Sequence, residues 1–192
     1  MRIGIVDCGG ANINSICYSL KRLSCKPVVS KDIKTLLSMD KLIMPGVGSA
    51  DKVMKNIRDH KLIQFIKTTT KPVLGICIGM QILFEFSDEG NTECLGILKG
   101  NVKKIIPSTS FPVPQMGWNY VNWNDSQDLN NFFYYANSYA VFKSEYSIAT
   151  SNYSNKKIIS VVKKDNFVGC QFHPEKSSLA GHAFLKNFLY NS

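Results

Sequence analysis

The sequence predicts an α/β fold, a doubly wound and mostly parallel sheet with an antiparallel β extension. Three observations predict it. Short apolar runs alternate with helix-periodic segments through residue 84. Several of those runs stop at glycine or proline, as buried strands do where the chain must turn. The second half abandons the alternation for β-branched and aromatic stretches punctuated by Pro107, Pro112 and Pro114. At 192 residues the chain suits one domain, 1–192, long enough to bury a sizeable core.

The elements follow in order. Residues 3–6 form an apolar run ending in Asp7-Cys8-Gly9-Gly10, a buried strand and a glycine turn with Asn12 as a helix N-cap. Ile13, Ile16, Cys17, Leu20 and Leu23 recur at helical spacing. Residues 26–29 and 42–44 read as further strands, the latter stopped by Pro45-Gly46-Val47-Gly48. One helix is expected through Val53, Ile57, Leu62, Phe65 and Ile66. Residues 72–76 form the strand leading to Cys77, with Met80, Leu83 and Phe84 on a following helix. Residues 102–123 and 132–142 are rich in β-branched or aromatic residues, and 158–172 reads as two strands around a Lys163-Lys164-Asp165-Asn166 hairpin. Residues 179–189 close the chain as an amphipathic helix. There is no internal repeat and no low-complexity linker.

Composition narrows the function classes. Hydrophobic residues make up 44% and charged residues 19%, a globular balance. No apolar run approaches the ~18 residues of a membrane span, and residues 1–7 lack the pattern of a signal peptide. A soluble cytoplasmic protein with no membrane partner is expected. The six cysteines form no C-x-x-C pair, so neither a zinc site nor a disulfide framework is expected. The net charge of +9 comes from dispersed lysine pairs without a nucleic-acid motif. It fits a solvated face or attraction to an acidic protein partner, and no nucleic acid is expected as a ligand.

The chemistry concentrates in Gly75-Ile76-Cys77-Ile78-Gly79. Small residues on both sides of a nucleophile, between a strand and a helix, are the sequence form of a nucleophile elbow. A helix N-terminus would favour thiolate there. The plain alternative is a buried cysteine before a helix. A thiol nucleophile needs a base, and only three histidines exist. His60 and His182 fall on expected helices beside charged or small residues. His173 sits in Gln171-Phe172-His173-Pro174-Glu175, where Glu175 can orient the imidazole. Otherwise it is a structural histidine after a strand. Cysteine, histidine and glutamate together suggest a covalent acyl-enzyme. Pro45-Gly46-Val47-Gly48 ends a strand where α/β folds place ligands, so its backbone N–H groups could stabilise an oxyanion, or simply make a tight turn. Gly9-Gly10-Ala11-Asn12 lacks both nucleotide-loop signatures, and a nucleotide site is rejected there.

In order and spacing, these three motifs resemble the class I (triad) glutamine amidotransferases, which have a flavodoxin-like fold. The opening residues 5–15, Val113-Pro114-Gln115-Met116-Gly117-Trp118-Asn119 and Tyr135-Ala136-Asn137-Ser138-Tyr139 narrow the resemblance to the glutaminase subunits (HisH) of imidazole glycerol phosphate synthase. The similarity spans essentially the whole chain. It implies hydrolysis of L-glutamine to glutamate and ammonia by Cys77, with His173 as base and Glu175 orienting it. It further implies an oxyanion site from the amides of Ile78 and of Val47 or Gly48, and glutamine contacts from Gly46, Gln81, Ser138 and Tyr139. No metal or organic cofactor is needed. The ammonia would pass to a (β/α)₈-barrel cyclase, HisF, in a heterodimer with Asn12, Trp118 and Lys176 at the interface. The joint products would be imidazole glycerol phosphate and the aminoimidazole carboxamide ribotide, a step of histidine biosynthesis.

Three positions depart from the family pattern. Gln115 and Asn137 each stand where histidine is usual, and Ala50 stands where phenylalanine is common. None belongs to the triad. Competing readings are a glutaminase subunit of another synthase, a free-standing cysteine hydrolase, and a scaffold without activity.

Overall fold

The computed structural model describes residues 1–9, 13–46, 48–125 and 129–191. Nine strands form one sheet. From one edge, the first five are β2 (Lys26–Ser30), β1 (Arg2–Val6), β3 (Lys41–Met44), β4 (Val73–Ile76) and β13 (Phe167–Cys170), paired in parallel. The extension is β12 (Lys156–Lys164), β11 (Ser147–Tyr153), β8 (Gln115–Trp123) and β9 (Asn131–Asn137), each antiparallel to its neighbour. Within the sheet only β12 and β8 run against the other strands. The expected α/β class, with a parallel half and an antiparallel extension, is what forms.

Burial explains the parallel half. Every residue of β3 and β4 is buried, as is all of β1 after Arg2. Such strands are covered on both faces and read as continuous apolar runs. The edge strand β2 is half exposed. β8 instead alternates, with Gln115 and Val121 buried and Met116, Trp118 and Tyr120 exposed. Helix α1 (Ile13–Arg22) buries Ile16 and Leu20, and α6 (Ser178–Asn191) buries Phe184, Leu185, Phe188 and Leu189.

Four differences from the sequence reading have local causes. The single helix expected across 53–66 is two, α3 (Ala50–Asp59) and α4 (Leu62–Thr68). Leu62 follows Ile57 at i+5, one position beyond the i+4 of a continuous apolar stripe, and Lys61 at φ 56° resets the phase. A short helix, α2 (Ile33–Leu37), was not expected. Its signal is Asp32, whose carboxylate accepts from the Thr35 N–H at 2.8 Å as an N-cap. The helix after Cys77 is only α5 (Ile78–Gln81). The carbonyls of Ile82, Leu83 and Phe84 accept instead from residues 95–98, which strap that turn. Last, a small sheet in the order β10-β7-β5-β6 packs beside the main one, with β10 (Tyr139–Ala140), β7 (Asn101–Lys104), β5 (Phe86–Ser87) and β6 (Thr92–Glu93). Its two-residue strands are too short for a sequence pattern. The 163–166 hairpin forms as expected between β12 and β13, with Asp165 at φ 50°. The Asn12 cap lies outside the described residues. Among those described, no helix is long and apolar enough to cross a membrane.

Candidate active site

The carboxyl ends of β3, β4 and β13 lie side by side, and each delivers one of the three motifs. β4 ends at Ile76, and Cys77 follows at φ 53°, ψ −108°, a strained turn held by its own N–H donating to the Cys170 carbonyl at 2.7 Å. Strain of this kind persists only where the surroundings enforce it. Here the enforcement is close packing that only glycine permits. A Cβ on Gly79 would lie 1.9 Å from the Met44 carbonyl oxygen, and one on Gly75 would lie 2.4 Å from the Gly79 oxygen. One on Gly46 would lie 2.7 Å from the Ile78 nitrogen, so the glycine turn after β3 rests directly on the elbow. The flanking glycines are therefore required by contact, as the elbow reading demands. With four residues, α5 supplies little dipole to Cys77, so the help expected from a helix N-terminus is small.

His173 is set by the segment after β13. Its N–H donates to the Tyr134 carbonyl at 2.8 Å, and its carbonyl accepts from Ser177 Oγ at 2.7 Å. Phe172 is fully buried against Phe133, ring centroids 4.1 Å apart, and anchors the segment. The His173 Nδ1–H donates to Glu175 Oε1 at 2.9 Å, both side chains being under 5% exposed. That leaves the other ring nitrogen for Cys77, to which His173 is hydrogen-bonded. Burial opposes the imidazolium but is outweighed by the bonds to Cys77 and then to Glu175, and by their charges. The His173 pKa is pushed up to about 10. At neutral pH the imidazole is therefore in its charged form.

Three thiols elsewhere in the fold are held protonated. Burial, reinforced by the charge of Asp7, pushes Cys8 up to about 12. Burial, with smaller help from nearby carboxylates, raises Cys94 to about 11 and drives Cys170 upward as well. A protonated thiol is a poor nucleophile.

Cys77 and His173 line one cavity of about 230 Å³. Gly46, Gly48, Ile78, Gln81, Ser138, Tyr139 and Lys176 line it too, so nearly all the expected site residues converge. Val47 and Asn12 lie outside the described residues. Trp118 stands apart on the outer face of β8, about half exposed, in edge contact with Tyr134 at 6.2 Å. Lys176 Nζ lies 5.6 Å from the same Tyr134 ring, so Trp118, Tyr134 and Lys176 run as one strip to the cavity mouth.

Three features escaped the sequence reading. Glu89 lines the cavity, half-buried, with its Oε2 accepting from the Ala50 N–H at 2.9 Å. Burial raises its pKa. Nothing local distinguishes it from neighbouring Asp88. Ala50 itself is fully buried at the start of α3. The departures Gln115 and Asn137 are one feature, because the two are direct cross-strand partners on β8 and β9. Both are buried, and Gln115 Oε1 and Asn137 Oδ1 have no hydrogen-bond partner among the described residues. Finally, the Gln171 carboxamide enters the elbow, Nε2 lying 3.6 Å from Cys77 Sγ.

The model of the class-I glutamine amidotransferase family matches residues 4–192. The chain belongs to that family. Among amidotransferase relatives, the protein named imidazole glycerol phosphate synthase subunit HisH from Haemophilus influenzae is 43% identical over 195 residues, covering 98% of this chain and 97% of its own. The protein named subunit HisH 2 from Campylobacter jejuni is 45% identical over 192 residues, covering 98% of each. A crystal structure of a glutamine amidotransferase superposes with a TM-score of 0.76 at 15% identity, covering 97% of each chain. The structure of PurLQS from Thermotoga maritima superposes at 0.70 and 17%, covering 100% of this chain and 99% of that one. Both likenesses are of fold.

Proposed function

We propose that the chain is the glutaminase subunit of an imidazole glycerol phosphate synthase. It hydrolyses L-glutamine through a Cys77 thioester and passes the ammonia to a HisF-type (β/α)₈-barrel cyclase, in the cytoplasm, where its free thiols stay reduced. The observation that carries the reading is the relay from Cys77 to His173 to Glu175 at the wall of one cavity. The near-full-length identity to proteins named HisH supports the choice of synthase.

The chemistry follows from the geometry. His173 takes the thiol proton as Cys77 attacks the glutamine amide carbon. The carbonyl π electrons move to oxygen, where the Ile78 N–H and a backbone N–H of the 46–48 turn stabilise them. On collapse the C–N bond breaks, and His173 gives its proton to the departing nitrogen. Water then attacks the thioester with His173 as base, the C–S bond breaks, and glutamate leaves. Glu175 keeps the imidazole oriented throughout. Glu89 is placed to meet the substrate α-ammonium, and Gln81, Ser138 and Tyr139 its remaining polar groups.

Ammonia released into neutral water becomes ammonium and loses its nucleophilicity, so the partner must cover the cavity mouth. The exposed outer face of β8–β9 suits that contact. Met116, Trp118, Tyr120 and Phe132 form an apolar stripe there, and Trp118 continues it to Lys176 at the mouth.

The test is glutamate release by the purified chain, alone and with a HisF-type barrel plus its ribotide substrate. Low release alone and a steep rise with both is expected, as is loss of release with retained barrel binding in Cys77→Ser. Equal, high release without the barrel would favour a free-standing hydrolase.

A further inference from the structure

Gln171 begins where β13 ends. Its backbone N–H donates to the Ser160 carbonyl at 2.9 Å, which turns its side chain toward the elbow, and no part of the residue is exposed. Its Oε1 accepts from Gln81 Nε2 at 2.9 Å, while Gln81 Nε2 also donates to the Tyr139 carbonyl at 2.9 Å. These contacts fix the sense of both amides. A backbone carbonyl can only accept, so Gln81 must turn its NH₂ toward Tyr139. The second hydrogen of that NH₂ reaches the Gln171 oxygen. The NH₂ of Gln171 is then the end that faces Cys77 Sγ, at 3.6 Å.

We propose that Gln171 is a further catalytic residue: its buried carboxamide N–H donates to the Cys77 sulfur and ties the thiolate to the occupancy of Gln81. The proposal rests on Cys77 being the nucleophile. A thiolate in a water-poor site needs hydrogen-bond donors, and the His173 imidazolium is one. The Gln171 amide is a second, and it cannot surrender its proton to the sulfur. The same N–H serves again when the thioester is hydrolysed, because the electron pair of the breaking C–S bond returns to sulfur.

The connection to substrate runs through Gln81. Its Oε1 is buried with no hydrogen-bond partner among the described residues, and the residue lines the cavity. A substrate N–H donated to that oxygen polarises the Gln81 amide, strengthens its bond to Gln171, and in turn strengthens the N–H on sulfur. Glutamine binding would thereby improve the nucleophile it is about to meet.

The experiment uses the full chain bound to a HisF-type barrel and reads alkylation of Cys77 by iodoacetamide across pH, on the Cys77 peptide by mass spectrometry. Gln171→Met keeps the length of the side chain without the donor. Alkylation at pH 7 is expected to slow about three- to tenfold, with the midpoint of its pH profile moving upward. Gln171→Glu, which sets a carboxylate beside the sulfur, should slow it further. A profile unchanged in Gln171→Met overturns the proposal, since a packing role alone would leave it unmoved. If Gln171→Met lacks a cooperative melt, Gln81→Met carries the same readout by releasing the Gln171 amide, and an unchanged profile there overturns it equally. Continued glutamate release by Cys77→Ser would overturn the nucleophile reading and this proposal together. An inactive Cys77→Ser with a normal Gln171→Met profile would remove only the role of Gln171.

Discussion

Glu175→Gln isolates the charge behind the base. The variant keeps the shape and an acceptor oxygen near His173 Nδ1, where the native distance is 2.9 Å. Its loss is the negative charge that helps hold the His173 pKa at about 10 against burial. A hydrogen bond to a charged group is worth about 1.5–3 kcal/mol, which at about 1.4 kcal/mol per unit is a fall of one to two units. His173 in the variant should therefore titrate at about 8–9. The sign for stability follows from linkage. A histidine whose folded pKa exceeds its unfolded value of 6.5 stabilises fully below 6.5 and loses that contribution as pH rises through about 10. The variant should lose it through about 8–9 instead. Its melting deficit should be largest near neutral pH and shrink toward pH 10. The assay is the imidazole titration by NMR on histidine-labelled protein, paired with thermal melts at both ends of that range. An imidazole titrating as in the native chain would refute the assignment of Glu175 as the charge that sustains the imidazolium.

Other perturbations probe separate parts of the site. Gly79→Ala drives a Cβ onto the Met44 carbonyl; it should cost about 3 kcal/mol and lower the melting temperature by about 6–12 °C. A native-like melt would mean that the elbow and β3 separate easily. Glu89→Gln should raise the KM for glutamine about tenfold with a smaller effect on kcat, and an unchanged KM would remove Glu89 from the substrate. Trp118→Ala, on a half-exposed ring, should weaken barrel binding about tenfold or more while leaving the melt nearly unmoved. An unchanged Kd by titration calorimetry would take Trp118 out of the interface.

The parallel strands and the elbow were legible because their causes are local. Strands covered on both faces must be apolar throughout, and β1, β3 and β4 are. An elbow needs small residues beside the nucleophile, and Gly75 and Gly79 announce it within five positions. His173 and Glu175 are two residues apart and pair across that gap. The short elements failed for the opposite reason. Two-residue strands such as β5 and β6 leave no period to read, and α5 ends early because residues 95–98 capture its next carbonyls.

By itself the sequence determined the fold class, the strand-to-turn junctions and the three side chains of the relay, since each follows from patterns a few residues long. The tertiary structure decided which distant groups surround them. Gln171 meets Cys77 across 94 residues of chain. Gln115 and Asn137 become partners only through the register of β8 and β9. Glu89 reaches the cavity from the loop between β5 and β6. Such meetings depend on sheet order and loop path, which packing of the whole core selects and no local pattern encodes.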